Sequence, residues 1–363
     1  MTDFFTKITD QFANKLPFVA YRKPNESSVN ALFQTDSTIN YVNDYSESGF
    51  VFAPFDSKEK SILIPFDNCL STIYVKDESI TNTEDVELNF SDKQSYEGLV
   101  NNAISTIQQT DLKKVVLSRV EENVVNKTCP IILFKRAMSH YQNAFVYVWY
   151  HPEIGCWLGA TPEVLLTTRN NQFKTMALAG TQLFSNNVVW KNKEIEEQQI
   201  VTDYIVESLK NRHITPNLSD SYTLKAGHLA HLRTDITGSF GRANLGDIIS
   251  VLHPTPAVCG FPKQESKAFV LQNELYDRTF YTGFLGELNK TSQRHKNRRN
   301  TENFAYRITT KSSDLYVNLR CMELRNDTVK IYVGGGITAS SNPEKEFIET
   351  CNKTKTMKKL IIS

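Results

Sequence analysis

The sequence predicts an α+β protein: large, mostly antiparallel β-sheets flanked by helices. Three observations support this. Short β-branched and aromatic runs (FVAYR, GFVFAPF, KVVLSRV, AFVYVWY, CWLGAT, EVLLTT, VKIYV) recur along the 363 residues, and such residues fit a pleated, half-buried surface. Helical apolar periodicity lies among them without a regular βαβ alternation, which argues against a doubly wound parallel sheet. No internal repeat or low-complexity linker divides the chain. One large domain over 1–363 is therefore expected, with a less recognisable β-rich part at 1–90 and a motif-bearing region at 95–360.

In order, residues 1–90 read as short strands with polar turns such as KPNESS and DSKEK. From Tyr96, Leu99, Ala103, Ile104 and Ile107 mark an amphipathic helix. A strand KVVLSRV, a helix PIILFKRAMSHY with Pro130 in its first turn, and a buried strand AFVYVWY follow. Three strands joined by tight turns occupy 157–180, and a helix covers about 191–211 with Ile200, Val201, Tyr204, Ile205 and Leu209 as its stripe. Strands near 222–225 and 228–238, helices near 244–252 and 264–276, and a strand RTFYTGFLGEL come next. DLYVNLRCMEL and VKIYV read as the last strands.

Composition excludes several classes. Forty-one basic and forty acidic side chains leave a net charge of +1, so nothing global favours nucleic acid or an anionic membrane as partner. Six scattered cysteines form no C-x-x-C pair, which fits a reducing compartment rather than a disulfide or zinc framework. The first residues lack the apolar core of a signal peptide, and no run reaches the ~18 apolar residues needed to span a bilayer. A cytoplasmic monomer is expected.

The stretch IYVGGGITASSNPEKEFIETCNK at 331–353 stands at the centre. Gly334, Gly335 and Gly336 end a strand where backbone must turn sharply or approach something closely. Ser341 or Asn342 can cap a helix with Pro343 in its first turn. On that helix Glu346, Glu349 and Lys353 share a face. The arrangement suits an anionic ligand, or equally a surface helix with an ordinary ion pair. Glu197 sits on the apolar stripe of its helix, where an isolated charge needs a metal, a partner or a proton, unless it occupies the wet end. Glu163 follows a Gly-Ala-Thr-Pro turn, exposed or set against an apolar strand. Lys114 begins a strand; as a base it would have to lose its proton near pH 7, against ~10.4 for a free lysine. Arg320, alternating with apolar neighbours in YVNLRCMEL, has the planar fork that grips a carboxylate or else faces solvent. His253, in the restricted turn HPTPA, reads as a packing or hydrogen-bonding residue. The basic segment 290–299, with Arg298 and Arg299, lacks interleaved aromatics and reads as a solvated hairpin loop; nucleic-acid or partner binding there is the non-enzymatic alternative. No P-loop, H-E-x-x-H, nucleophile elbow or G-x-G-x-x-G occurs.

The motifs KVVLSR (114–119), GATPEVLL (159–166), ALAGT (177–181), KNKEIEEQQIVTDYI (191–205), HLRTDITG (231–238), HPTPAVCGFPK (253–263), YTGFLGE (281–287) and NLRCMEL (318–324), with the glycine stretch, form one ordered series. It resembles the chorismate-utilising enzymes: isochorismate and salicylate synthases and the large subunits of anthranilate and aminodeoxychorismate synthases. The resemblance covers about 95–360 and implies an anthranilate synthase large-subunit-like fold with chorismate as the small-molecule substrate. It implies that Glu197 and Glu349, with Glu346 close by, ligate Mg²⁺, which holds the ring carboxylate. Arg320, Tyr332, Gly334, Gly335, Gly336 and Lys353 would bind the substrate's carboxylates, and Ala179, Gly180, Thr181 and His253 would face it. Lys114 would deprotonate water for attack at ring C2, and Glu163 would protonate the departing C4 hydroxyl. Amine-using members place glutamine where Lys114 stands, and the aminodeoxychorismate type has a lysine in its P-I-K-G-T motif where this chain has Leu178-Ala179-Gly180-Thr181. Both positions favour water, hence an isochorismate synthase; salicylate synthase, which also eliminates pyruvate, is the alternative. The product would feed menaquinone or siderophore synthesis. Two departures stand out: Glu197-Gln198 where relatives have Glu-His, and Gly-Gly-Gly-Ile where they have Gly-Ala-Gly-Ile.

Overall fold

A computed structural model describes residues 2–75, 86–125, 129–185, 188–226, 229–294 and 308–361. Among these, two antiparallel sheets pack face to face. In spatial order the first joins Gly260–Phe261, Lys114–Val124, Thr328–Ile337, Cys321–Leu324, Gly155–Thr161, Phe145–His151, Phe18–Arg22, Ser28–Phe33 and Cys69–Ile73. The second joins Asn217–Leu218, Leu229–Ser239, Gln172–Leu183, Val164–Arg169, Ile308–Val317, Phe284–Arg294, Gly49–Ala53, Ile62–Pro65 and Asn40–Tyr41, with Tyr222–Ala226 also paired to Leu229–Ser239. The expected α+β class with antiparallel sheets and flanking helices is the observed one.

The space between the sheets is filled largely by aromatic side chains. Tyr21, Phe145, Tyr147, Trp149 and Trp157 from the first sheet meet Phe50, Phe52 and Tyr316 from the second. Phe52 stacks on Phe280 at 4.1 Å and Phe145 on Tyr316 at 4.2 Å. Such rings bury the most apolar area per residue and add their own stacking preference. Among the described residues, seven helices cover the outer faces: α1 (Thr2–Ala13), α2 (Lys93–Gln109), α3 (Pro130–His140), α4 (Asn192–Lys210), α5 (Leu245–Leu252), α6 (Lys263–Asn273) and α7 (Pro343–Ile361). α1 and α3 pack on the first sheet, α4 and α5 on the second. α2, α6 and α7 enclose the strand Lys114–Val124. None of the described helices is long and apolar enough to cross a membrane.

Several sequence expectations are corrected. The strand read over RTFYTGFLGEL begins only at Phe284 and runs to Arg294, so the described start of the basic segment 290–299 is strand rather than loop. α1 was not anticipated, although Phe4, Phe5 and Ile8 at helical spacing bury its inner face. Ile200 is 43% exposed; the buried side of α4 carries Gln198, Val201, Ile205 and Leu209 instead. The run 314–324 is not one strand: Ile308–Val317 belongs to the second sheet and Cys321–Leu324 to the first, with Arg320 in the crossing at φ 48°. Alternation therefore does not orient Arg320. Of the two readings of the three glycines, a sharp turn or a close approach, the second holds. Their strand runs on to Ile337, paired with Val115–Ser118, and close approach is what requires them. A Cβ at Gly334 would stand 2.6 Å from the Leu117 carbonyl oxygen.

Candidate active site

Chemistry-bearing side chains gather where the glycine strand meets the start of Lys114–Val124. Lys114 projects over Gly336, where a Cβ would lie 2.9 Å from its Cε. Its Nζ reaches Glu197 Oε1 on α4 at 2.9 Å. Gly335 faces the other way, its Cβ position 3.4 Å from Glu346 Oε2 and 3.8 Å from the Tyr96 hydroxyl. α7 is set against this strand by its cap: Asn342 Oδ1 accepts from the Lys345 N–H at 3.0 Å. Further along the helix, Lys353 Nζ pairs with Glu349 Oε1 at 2.7 Å and donates to the Gly334 carbonyl at 2.7 Å. The Glu349–Lys353 pair read from spacing thus exists, and its lysine also anchors to the glycine strand.

Glu163 lies past the end of strand Gly155–Thr161, tied down by its carbonyl, which accepts from Val317 N–H at 3.0 Å. Burial pushes its carboxyl up to about 7, against the opposing pull of the Arg320 and Lys114 charges. Burial likewise lowers Lys353, with Glu349 pulling it back up and Arg320 pushing it further down. Glu346 is raised, first by burial and then by Glu349, while a hydrogen bond from Ser341 opposes this. Glu163, Arg320, Lys114, Lys353, Glu349 and Glu346 therefore form one electrostatically connected group.

Beside it, Gly180 lies in a β-bulge at φ 67°, a left-handed conformation that favours glycine. The bulge sits where Ala179 pairs with Leu232 and Thr181 with His231. Two functional candidates emerge that the sequence reading quoted only inside motifs. Burial lowers the His231 imidazole; a hydrogen bond with the Gly180 backbone opposes that and the Lys353 charge adds to it. The Tyr281 hydroxyl stands 3.1 Å from the Cβ position of Gly334. Tyr332, in contrast, donates to Glu323 at 3.1 Å and stacks between Trp157 and Tyr281. It lines a separate cavity of about 580 Å³ with Tyr276, Phe280 and Lys330. His253 stands apart as well: its ring is buried, Nε2 shares a hydrogen bond with the Pro54 carbonyl at 2.9 Å, and it packs edge-on to Phe284. Of the basic segment, His295, Lys296, Arg298 and Arg299 lie outside the described residues.

The donors suit a hard divalent cation in kind. Glu197, Glu346 and Glu349 offer oxygen ligands, and the buried Tyr96 hydroxyl beside Glu346 has no protein partner. Among the described residues, however, no three acidic, histidine or cysteine side chains surround a common point. Glu197 and Glu349 are held by Lys114 and Lys353.

Lysines, an arginine, carboxylates and close-approach glycines thus gather at one place on two packed antiparallel sheets. The chain belongs to the chorismate binding enzyme family: a family model of that description matches residues 68–294, and a second matches 305–359. It is 27% identical over 288 residues to isochorismate synthase MenF of Escherichia coli, covering 76% of this chain and 62% of that protein. With isochorismate synthase EntC of the same organism it shares 27% over 281 residues, covering 73% and 66%. The match thus spans less than two thirds of either relative. The solved structure of DhbC from Bacillus anthracis superposes with a TM-score of 0.75 at 22% identity, covering 98% of this chain and 99% of that one.

Proposed function

We propose that this protein is an isochorismate synthase, converting chorismate to isochorismate. The observation that carries the reading is the connected pair of a lysine over a glycine wall and a carboxyl raised to about 7 by burial. The names of the relatives above support it. Water attacks ring C2 while Lys114 accepts its proton; the C4–O bond breaks as Glu163 gives its proton to the leaving hydroxyl. One water enters and one leaves, so the reaction is an isomerisation. In this scheme the base must be neutral and the acid protonated. Arg320 and Lys353 would meet the substrate carboxylates, and the glycine backbone would let them approach. Glu197, Glu349 and Glu346 would hold Mg²⁺, which when bound supplies positive charge for the ring carboxylate. The same reading puts the reaction in the cytoplasm.

The test is purified protein with chorismate and Mg²⁺, with products separated chromatographically. Isochorismate is expected. Salicylate plus pyruvate as the direct main product would give the salicylate synthase reading instead, and no turnover with water or ammonia overturns both. Lys114→Ala retaining full activity would refute the base.

A further inference from the structure

The strand that carries Lys114 has an open edge. On one side it pairs along its length with Thr328–Ile337, from Val115 to Val124. On the other, Gly260–Phe261 covers only Lys114 and Val115, and Val116 N–H adds one bond to the Cys259 carbonyl at 2.9 Å. The next groups on that edge, the Val116 carbonyl and the Ser118 N–H, face no strand among the described residues. Buried backbone groups of this kind must find partners.

An ion pair supplies them. Glu274 Oε1 accepts from Ser118 N–H at 2.7 Å and from the Ser118 hydroxyl at 2.8 Å. Arg278 Nη2 donates to the Val116 carbonyl at 2.7 Å. The two side chains grip each other twice, Nη2 to Oε1 at 2.6 Å and Nε to Oε2 at 2.7 Å. Each is about 2% exposed. Arg278 Nη1 also donates to the Val258 carbonyl at 3.1 Å, and its guanidinium lies between the rings of Phe55 and Tyr281, 4.5 and 6.0 Å away. The Tyr276 hydroxyl closes the group by donating to Ser118 Oγ at 2.6 Å. A desolvated pair is poor evidence for stability alone, because two apolar residues of similar size would do as well. Apolar residues, however, could not cap one N–H and one C=O on the same edge.

We infer that Glu274 and Arg278 are a positioning pair: they stand in for the missing strand beside Lys114 and fix Lys114 and Tyr281 against the glycine wall. The inference rests on Lys114 acting as the base. Neither residue touches the substrate in this scheme; both act through the strand and through Tyr281.

Glu274→Gln is assayed beside wild type and beside Glu287→Gln, which weakens another buried carboxylate, bonded to Lys23 and Lys290. Glu274→Gln is expected to lower kcat by roughly tenfold or more with KM within about twofold, the signature of misplaced groups rather than lost binding. Glu287→Gln is expected to lower Tm comparably and keep kcat. Equal kcat in the two variants overturns the proposal. If Glu274→Gln does not fold, Arg278→Lys decides: it keeps the charge but loses the two-point grip on Glu274 and the bond to the Val116 carbonyl, and an unchanged kcat overturns the proposal. Hydrogen exchange of the 116–120 amides gives a readout independent of turnover, expected to be about tenfold faster in Glu274→Gln and in Arg278→Lys. Should wild type not convert chorismate, the functional reading fails and exchange alone judges the edge; unchanged exchange overturns it.

Discussion

Glu163 offers the sharpest test, because its environment sets a pH at which its role must fail. An ordinary glutamate titrates near 4.5, and burial lifts this one to about 7. That is a preference for the protonated form of ~3 kcal/mol. As a general acid Glu163 must carry its proton, so kcat/KM is expected to fall about tenfold per pH unit above 7. Glu163→Gln keeps the size and removes the proton. Its kcat is expected to drop by ~10²–10⁴, with the residual rate flat between about pH 7 and 9. The Arg320 charge holds Glu163 down, so in Arg320→Gln the alkaline limb should move to higher pH. The same shift acts on stability. The native state binds the proton more tightly than the unfolded chain does, so this contribution is complete below about 4.5 and is lost as pH rises through about 7. Denaturant midpoints of wild type and Glu163→Gln across that window check it. A wild-type profile flat to pH 9, or an alkaline limb that survives in Glu163→Gln, would refute the assignment.

Other outcomes follow from the same geometry. Gly334→Ala brings a Cβ to 2.6 Å from a backbone oxygen and should cost ~1–3 kcal/mol in chemical denaturation. Gly336→Ala meets only the flexible end of Lys114, so Tm should hold while kcat falls. In the proposed scheme Glu349→Gln should raise the Mg²⁺ concentration that half-saturates turnover ~10-fold or more; calorimetric titration of the protein with Mg²⁺ checks the same loss without turnover. Tyr281→Phe, losing the hydroxyl beside Gly334, should raise KM for chorismate, whereas Tyr332→Phe should leave it nearly unchanged.

Much of the architecture was legible in order. The amphipathic stripes of α2, α4 and α7 and the β-branched runs name their elements because period and propensity are local properties. The ordered motifs placed the chain in its family, and the Glu349–Lys353 pair and the α7 cap followed from spacing. Apart from α1, whose helical spacing is a local signal, what failed did so for tertiary reasons. Ile200 carries a helix-stripe spacing yet is exposed, since only the neighbouring sheet decides how wide the buried arc of α4 is. Arg320 read as a strand residue because alternation continues through 314–324, although the chain changes sheets at Asn318–Arg320.

The sequence by itself determined the class of fold, the family and the residue types of the site. Whether three glycines turn a chain or admit a neighbour depends on what lies alongside, and here the neighbour is the Lys114 strand, where Gly334, Gly335 and Gly336 pair with Ser118, Leu117 and Val116. The same is true of Tyr281 and Tyr332, alike in type, one beside the glycine wall and the other hydrogen-bonded to Glu323. Only the packing of two sheets sets Glu163 deep enough to hold its proton near neutrality, because desolvation is a property of surroundings and not of sequence.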